Sequence, residues 1–143
     1  MGRFSAGCLT GAGSTSLPVI SLYGLANNGP ILREVGLFNT STTDVAVKLV
    51  RLTTTGTQGS ALTNAPQEPD DVAVGAAFGT HTVAPTLGDD LGYRAVLGAA
   101  KGAGVIFTFG ANGIRIPKGT ANGIGVIVEN GTGQAVQAYL VWD

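Results

Sequence analysis

The sequence predicts an all-β protein, an antiparallel β-sandwich that is jelly-roll-like, has about 8–10 strands and carries an extended N-terminal arm. Glycine supplies 23 of the 143 residues, about twice its usual share, and glycine inside a helix costs about 1 kcal/mol relative to alanine. Short apolar runs are separated by clusters of Gly, Asn, Asp, Ser and Thr. No stretch of about ten residues carries the amphipathic stripe of a helix between strands, so a parallel βαβ arrangement is not expected.

The chain divides into an arm at residues 1–17 and one sandwich domain at residues 18–143. Its length suits a single domain of ordinary size. The first segment is rich in Gly, Ser and Thr and has few apolar residues, a composition typical of a flexible tail. If this arm is ordered, we expect either a neighbouring chain or the surface of its own domain to hold it.

Each predicted strand is a short apolar run bounded by turn residues. Residues 31–38 and 45–53 are predicted to form a hairpin, because the polar side chains at 39–44 favour turn conformations through local hydrogen bonds. Loops are expected at 56–71 and 85–92. A short helix is the alternative to a strand at 93–99, because this apolar run is too short for periodicity to decide. The predicted strands are 18–25, 31–38, 45–53, 72–78, 81–84, 93–99, 105–109, 114–116, 124–128 and 134–142.

The last third of the chain has the clearest strand signals. Asn-Gly pairs begin at positions 112, 122 and 130, and this pair supplies the positive φ angles that tight connections need. We therefore expect antiparallel strands that pair locally. Alternation along the strands also predicts a set of inward-facing apolar side chains. This set is Val35, Leu37, Val47, Leu49, Phe107, Phe109, Ile116, Ile124, Val126, Val128 and Leu140.

The low charge of the chain limits its partners. Charged residues make up 12% of the sequence and the net charge is -1, against roughly 25% charged residues in typical soluble domains. The basic residues are scattered, so we expect no nucleic-acid partner. No apolar run approaches the roughly eighteen residues that span a bilayer, so we expect no membrane partner. A mean hydropathy of +0.30 predicts apolar surface that is covered in a homo-oligomer or by another protein.

Residues able to carry out catalysis are few. His81 is the single histidine, which excludes a multi-histidine metal site, and its position between two threonines favours a surface or hydrogen-bonded role. Cys8, the single cysteine, can form no internal disulfide and has no nearby basic residue to lower its pKa, so we interpret it as a small apolar side chain. Neither a nucleophile elbow nor a phosphate-binding Gly-Lys-Ser/Thr motif occurs. We expect no enzyme activity, no catalytic residue, no cofactor and no metal.

Acidic residues cluster on two predicted loops. Loop carboxylates are the ligand type that calcium prefers, although this spacing matches no EF-hand. The same residues could act as a glycosidase pair only if the fold brought them to within about 5–10 Å of each other around a cleft. We favour solvated loops over either site. The clusters are Glu68, Asp70 and Asp71, and Asp89 and Asp90.

Glu34 lies within an apolar strand, next to Arg33. A charged residue in such a run either faces solvent or pairs when it is partly buried. Because Glu34 and Arg51 lie on the two strands of the predicted hairpin, we hypothesise a cross-strand ion pair between them. Its role would be structural.

Three segments resemble small structural proteins of tailed bacteriophages. They are LGYRAVLG at 91–98, VIFTFGANGIRIPKGTANGIGV at 105–126 and YLVW at 139–142. The likeness is greatest to head decoration, or capsid cement, proteins and extends in general layout over residues 31–143. The resemblance implies a virion subunit on the capsid surface, made in the host cytoplasm, that binds the major capsid protein and neighbouring copies of itself, with a trimer favoured. It implies no catalytic residues and suits an arm that reaches the shell or an adjacent subunit.

A second class of function fits the same fold. As a receptor- or glycan-binding module of a virion or cell surface, the chain would bind through the loops predicted at 56–71 and 85–92. An assembly protein is expected to sediment with capsids, whereas a module of this second kind is expected to bind on a glycan array.

Overall fold

The structure, a computed structural model, describes residues 2–143 and contains eleven strands and no helix within that range. The strands are β1 (Phe4–Leu9), β2 (Ile20–Tyr23), β3 (Ile31–Asn39), β4 (Val45–Leu52), β5 (Ala65–Pro66), β6 (Ala76–Phe78), β7 (Leu87–Leu97), β8 (Gly104–Thr108), β9 (Ile114–Arg115), β10 (Gly123–Val128) and β11 (Val136–Trp142). Sheet A has the order β5-β1-β11-β3-β8, with β9 also paired to β3, and sheet B has the order β6-β2-β10-β4-β7. All pairs are antiparallel and the two sheets pack together, which confirms the predicted all-β sandwich.

Strands that follow one another along the chain never pair within residues 2–143. The chain instead folds back between β4 and β7, so that β4 pairs with β7, β3 with β8, β2 with β10 and β1 with β11. The prediction of local pairing in the last third is therefore wrong, although the antiparallel direction is confirmed. The turns that contain Asn122 and Asn130 carry the chain from one sheet to the other, and turn residues alone do not distinguish that path from a hairpin.

The hairpin predicted through residues 39–44 is wrong, since β3 belongs to sheet A and β4 to sheet B. Asn39 is buried at this crossing, where its amide nitrogen donates to the carbonyl oxygens of Thr43 at 2.7 Å and Gly98 at 3.0 Å. These bonds hold an arch between the sheets. The alternation of apolar and polar residues predicts which side of a strand is buried, but it does not predict which strand pairs with it.

Part of the predicted arm belongs to the sandwich. β1 lies inside sheet A between β5 and β11, with Phe4 opposite Trp142 and Leu9 opposite Gln137. Phe4 and Ala6 are buried in the core, and the rings of Phe4 and Trp142 stack with centroids 6.1 Å apart. Apolar side chains at alternate positions seat this segment as a strand.

One predicted strand and two predicted loops also differ from the structure. Residues 81–84 form no strand in the described chain, where Val83 makes an isolated bridge to Thr57. The loop at 85–92 is wrong from residue 87 onward, because β7 begins there, and the loop at 56–71 contains β5. Pairing with β4 overrides the turn propensity of the Gly-Asp-Asp sequence at the start of β7.

The core fills the space between the two sheets. All the side chains predicted to face inward are buried, which confirms the alternation on which that set depends. Each large apolar side chain in such a core contributes about 1.5–3 kcal/mol when fully buried. The predicted set omits Trp142, which lies opposite Phe4 on β1 and Leu32 on β3 and is fully buried with them.

Candidate interaction surface

The outer side of sheet A carries the candidate site. Side chains along a strand alternate between the two sides of a sheet, so residues between the buried positions of β1, β11, β3 and β8 point away from the core. The register aligns them in three rows, and we call this surface face A. Its rows are Leu9, Gln137, Phe38 and Gly104; Gly7, Tyr139, Gly36 and Ile106; and Ser5, Val141, Glu34 and Thr108.

Two aromatic side chains on face A lie over glycines. The ring of Tyr139 covers Gly36, and the ring of Phe38 covers Gly104. A Cβ atom on either glycine would overlap the ring above it, so glycine is needed here for close approach. Glycine inside an apolar strand is the sequence signal for such packing, and the predictions from sequence did not include it.

Glu34 is the only charged residue in the three rows of face A. The hydroxyl of Tyr139 donates to Oε2 of Glu34 at 2.6 Å. Burial, together with the hydrogen bond and the charge of Glu34, raises the pKa of Tyr139 to about 12. The hypothesised pair with Arg51 is wrong, because β3 and β4 lie in different sheets and Nη1 of Arg51 donates to the Arg115 carbonyl at 2.9 Å. Glu34 is therefore bound within its own sheet.

Face A is open to solvent and largely apolar. Leu9 is 60% exposed and Ile106 is 52% exposed, while Phe38, Tyr139 and Val141 are half-buried. Leu9 and Ile106 lie on opposite sides of the face, and Tyr139 and Phe38 lie between them. A contiguous apolar patch of this kind marks a candidate protein-binding surface. No single segment of the sequence reveals this surface, since its residues come from four strands that are far apart along the chain.

Part of the outer side of sheet B, which we call face B, is covered by the chain itself, whereas Val96 on β7 is 66% exposed. The covering segments are 53–62 and 79–86, which are joined by a hydrogen bond from Thr53 N to Thr86 O at 3.0 Å. The hydroxyl of Tyr23 on β2 donates to the Thr54 carbonyl at 2.9 Å and so ties sheet B to this cover. A second apolar cluster lies beneath it. Its buried members are Tyr23, Val50, Leu52 and Ile127, with Phe78 and Leu87 packed against them.

His81 fastens one covering segment to sheet B. Its side chain is buried, and its Nε2 lies 2.8 Å from Oγ of Ser21 on β2. The ring also lies beside that of Tyr23, with centroids 6.0 Å apart. Burial lowers the pKa of His81, and the backbone of Thr55 partly offsets this effect. His81 thus has the hydrogen-bonded role, one of the two predicted for it, and lies away from the surface.

Cys8 lies on β1, where it is partly buried against the main core. Burial raises the pKa of its thiol. A protonated thiol is a poor nucleophile, so this environment agrees with the prediction of a small apolar side chain.

The fold places the two acidic clusters in different settings. The first lies in the segment after β5 and is mostly exposed. In the second, Asp90 lies within β7, where it pairs with Arg94 and, at 3.6 Å, with Lys48. The Gly92 N–H, which donates to Asp90 at 2.8 Å, lowers the pKa of Asp90, and the two cations add to this effect. Among residues 2–143, no three His, Cys, Asp or Glu side chains gather as a metal site requires.

Together, the fold and face A define an antiparallel β-sandwich with one bare, nearly uncharged outer surface. No family model, curated protein or solved structure matches the chain. The described part of the chain has no helix of the length and apolar character needed to cross a membrane.

Proposed function

We propose that this protein is a structural protein of a phage virion that binds the outside of the capsid and stabilises the shell. Face A carries the proposal, because it is an exposed apolar surface whose single charged residue, Glu34, is already bound by Tyr139. The resemblance at 91–98, 105–126 and 139–142 supplies the partner, the major capsid protein. Two of those segments include most of β8 and part of β11, which contribute to face A.

Binding through face A would remove apolar surface from water with little charge to desolvate. Such burial contributes roughly 25 cal/mol per Å². Four strands about 4.8 Å apart and five residues at about 3.4 Å each make a patch of roughly 300 Å². A stable pairwise interface needs about 800 Å² on each partner, so one copy of face A would bind weakly. A homo-oligomer that presents several copies to a repeating shell would gain affinity through effective concentration.

The path of the chain supports a jelly-roll assignment, which we include in the proposal. The two halves of the chain pair as one long ribbon, in which β1 to β4 run against β11, β10, β8 and β7. A ribbon of eight strands folded into two sheets is the arrangement expected of jelly rolls, which occur in viral capsid proteins and lectins. The fold therefore suits both a capsid-binding protein and a receptor- or glycan-binding module, and face A favours capsid binding.

Substitution of Leu9 by glutamate tests the role of face A. Leu9 is 60% exposed, so the change places a charge on the surface and leaves the core intact. We expect wild-type protein to sediment with empty shells of tailed phages and to raise the temperature at which those shells dissociate. We expect Leu9→Glu to weaken shell binding by about tenfold or more.

Val83→Glu is the matched control. Val83 is 56% exposed and lies on a segment that covers face B, so this variant should bind shells as the wild type does. Equal losses in the two variants, or no binding of the wild type to any shell, would contradict the proposal.

Glycan binding is the result that would replace the proposal of capsid binding. Of the loops predicted for that function, residues 56–62 lie on face B and residues 87–92 belong to β7. Wild-type binding on a glycan array that Val83→Glu abolishes and Leu9→Glu preserves would favour a receptor-binding module.

A further inference from the structure

The four edges of the two sheets differ in how they are protected. An edge strand exposes backbone groups that can pair with another chain, and proteins usually block them. Sheet A ends at β5 on one side and at β8 and the two-residue β9, which both pair with β3, on the other. Sheet B ends at β6 and β7. β5 is two residues long and contains Pro66. β6 is three residues long, and Ala61 makes a bridge to Phe78 on its far side.

β7 is long but is protected by charge and by irregular pairing. It contains Asp89, Asp90 and Arg94. Its register with β4 shifts at two places, and Gly92 has a φ angle of 84°. Inserted charges and bends of this kind discourage the addition of another strand.

β8 has none of these features. Its sequence, GVIFT, contains no charge and no proline, and its register with residues 34–38 of β3 is unbroken. Ile106 at its centre is 52% exposed. A regular, uncharged and exposed edge strand is a site for the addition of another strand.

The hydrogen-bond pattern identifies which backbone groups of β8 are free to pair. Asn39 N donates to Ala103 O at 2.7 Å at the start of the β3–β8 ladder. Antiparallel pairs alternate between bonded and non-bonded positions, so Val105 and Phe107 direct their backbone groups toward β3. Gly104, Ile106 and Thr108 therefore direct theirs toward the open edge.

We propose that β8 pairs antiparallel with β8 of a second copy of this chain, about a two-fold axis at Ile106. In this register Ile106 lies opposite Ile106 of the partner subunit, Val105 opposite Phe107 of the partner subunit, and Gly104 opposite Thr108 of the partner subunit. The three bonded positions make about six hydrogen bonds. Pairs of β-branched with aromatic residues stabilise antiparallel strands, and no like charges meet.

A second copy is the occupant because the strand is complementary to itself in both length and side chains. The pairing would join two copies of sheet A into one continuous sheet and would place their faces A side by side. The β8 pairing goes beyond the proposed binding to the shell and does not depend on that binding.

Disulfide trapping tests the register directly. Residue 106 lies opposite its own copy, where paired Cα atoms are about 5.5 Å apart, a distance that a disulfide spans. We expect Ile106→Cys in a Cys8→Ala background to form covalent dimers on mild oxidation. Thr108→Cys in the same background is the matched control, because the two copies of residue 108 would be about 14 Å apart. Equal cross-linking of the two variants would overturn the proposed pairing.

Sedimentation velocity over a range of protein concentrations provides the second test. Wild type and Ile106→Val should form dimers. Ile106→Pro removes only an N–H that faces the open edge, so we expect this variant to be folded and monomeric. If proline disturbs the strand, Ile106→Lys replaces it and should also be folded and monomeric. A wild type that remains monomeric at all concentrations, or that forms only trimers, would overturn the proposal.

Discussion

Face A and face B are the two outer surfaces of one sandwich, and they differ in what covers them. On face B, segments 53–62 and 79–86 bury Tyr23 and Leu52 almost completely. On face A, Leu9 and Ile106 remain more than half exposed. Both surfaces have apolar side chains at outward positions, so their strands look alike in sequence. The long connection after β4, rather than the strands, therefore determines which surface is left for a partner.

Truncation of one leucine on each surface tests this difference most directly. Leu52 is 2% exposed and Leu9 is 60% exposed. We expect Leu52→Ala to lower the free energy of unfolding by about 2–5 kcal/mol, and Leu9→Ala to lower it by less than about 0.5 kcal/mol. Urea unfolding followed by Trp142 fluorescence measures both changes. Similar decreases in the free energy of unfolding for the two variants would contradict the distinction between the two surfaces.

A smaller effect is expected from a methyl group added beneath the Tyr139 ring. Gly36→Ala should displace the ring that covers it and cost about 1–3 kcal/mol. In a Tyr139→Ala background the ring is absent, so the same change should be nearly neutral. A double-mutant cycle measures this coupling. Additive effects would show that the ring does not depend on the glycine.

The cover of face B should loosen as the pH falls. Burial lowers the pKa of His81 below its ordinary value of 6.5, so the unfolded chain takes up a proton before the folded chain does. Protonation of His81 therefore does not reduce the free energy of unfolding above about pH 6.5. Below that pH it lowers this free energy by at most about 1.4 kcal/mol per pH unit. His81→Gln should remove this decline between about pH 7 and pH 5. An unchanged pH profile of the unfolding free energy in the variant would contradict the assignment.

The smallest expected effect concerns the hydrogen bond on face A. Tyr139→Phe removes the bond to Glu34 and should cost about 1 kcal/mol. Glu34→Gln removes the charge that helps to raise the pKa of Tyr139 to about 12, so the pKa should fall toward its ordinary value. Ultraviolet titration of the phenol measures it. An unchanged titration curve would indicate that burial alone sets this pKa.

Alternation in the sequence predicts the core but not the pairing of the strands. Val35 and Leu37 on β3, and Val47 and Leu49 on β4, are buried as predicted. Their two strands nevertheless lie in different sheets, because a period of two records the buried side of a strand and carries no information about its neighbour. The crossing depends on Asn39, whose buried side chain bonds to Gly98 in a distant connection.

The candidate surface was less predictable than the core. Its rows combine residues from β1, β3, β8 and β11, so no single segment contains its pattern. The part of this surface that lies on β1 was not predicted. The alternation of Phe4, Ala6 and Cys8 in β1 is weak in sequence, because Gly7 and other small residues lie between them. A glycine in the middle of an apolar strand, as at Gly36, was the available clue.

β11 is the last strand of residues 2–143 and occupies the middle of sheet A, between β1 and β3. A ribosome must therefore synthesise the chain through residue 142 before this sheet can form. Contacts between residues so distant along a chain make folding slow, and unpaired strands that wait for a partner are prone to aggregate. Efficient production of the protein thus depends on how quickly the newly made chain brings β11 between β1 and β3.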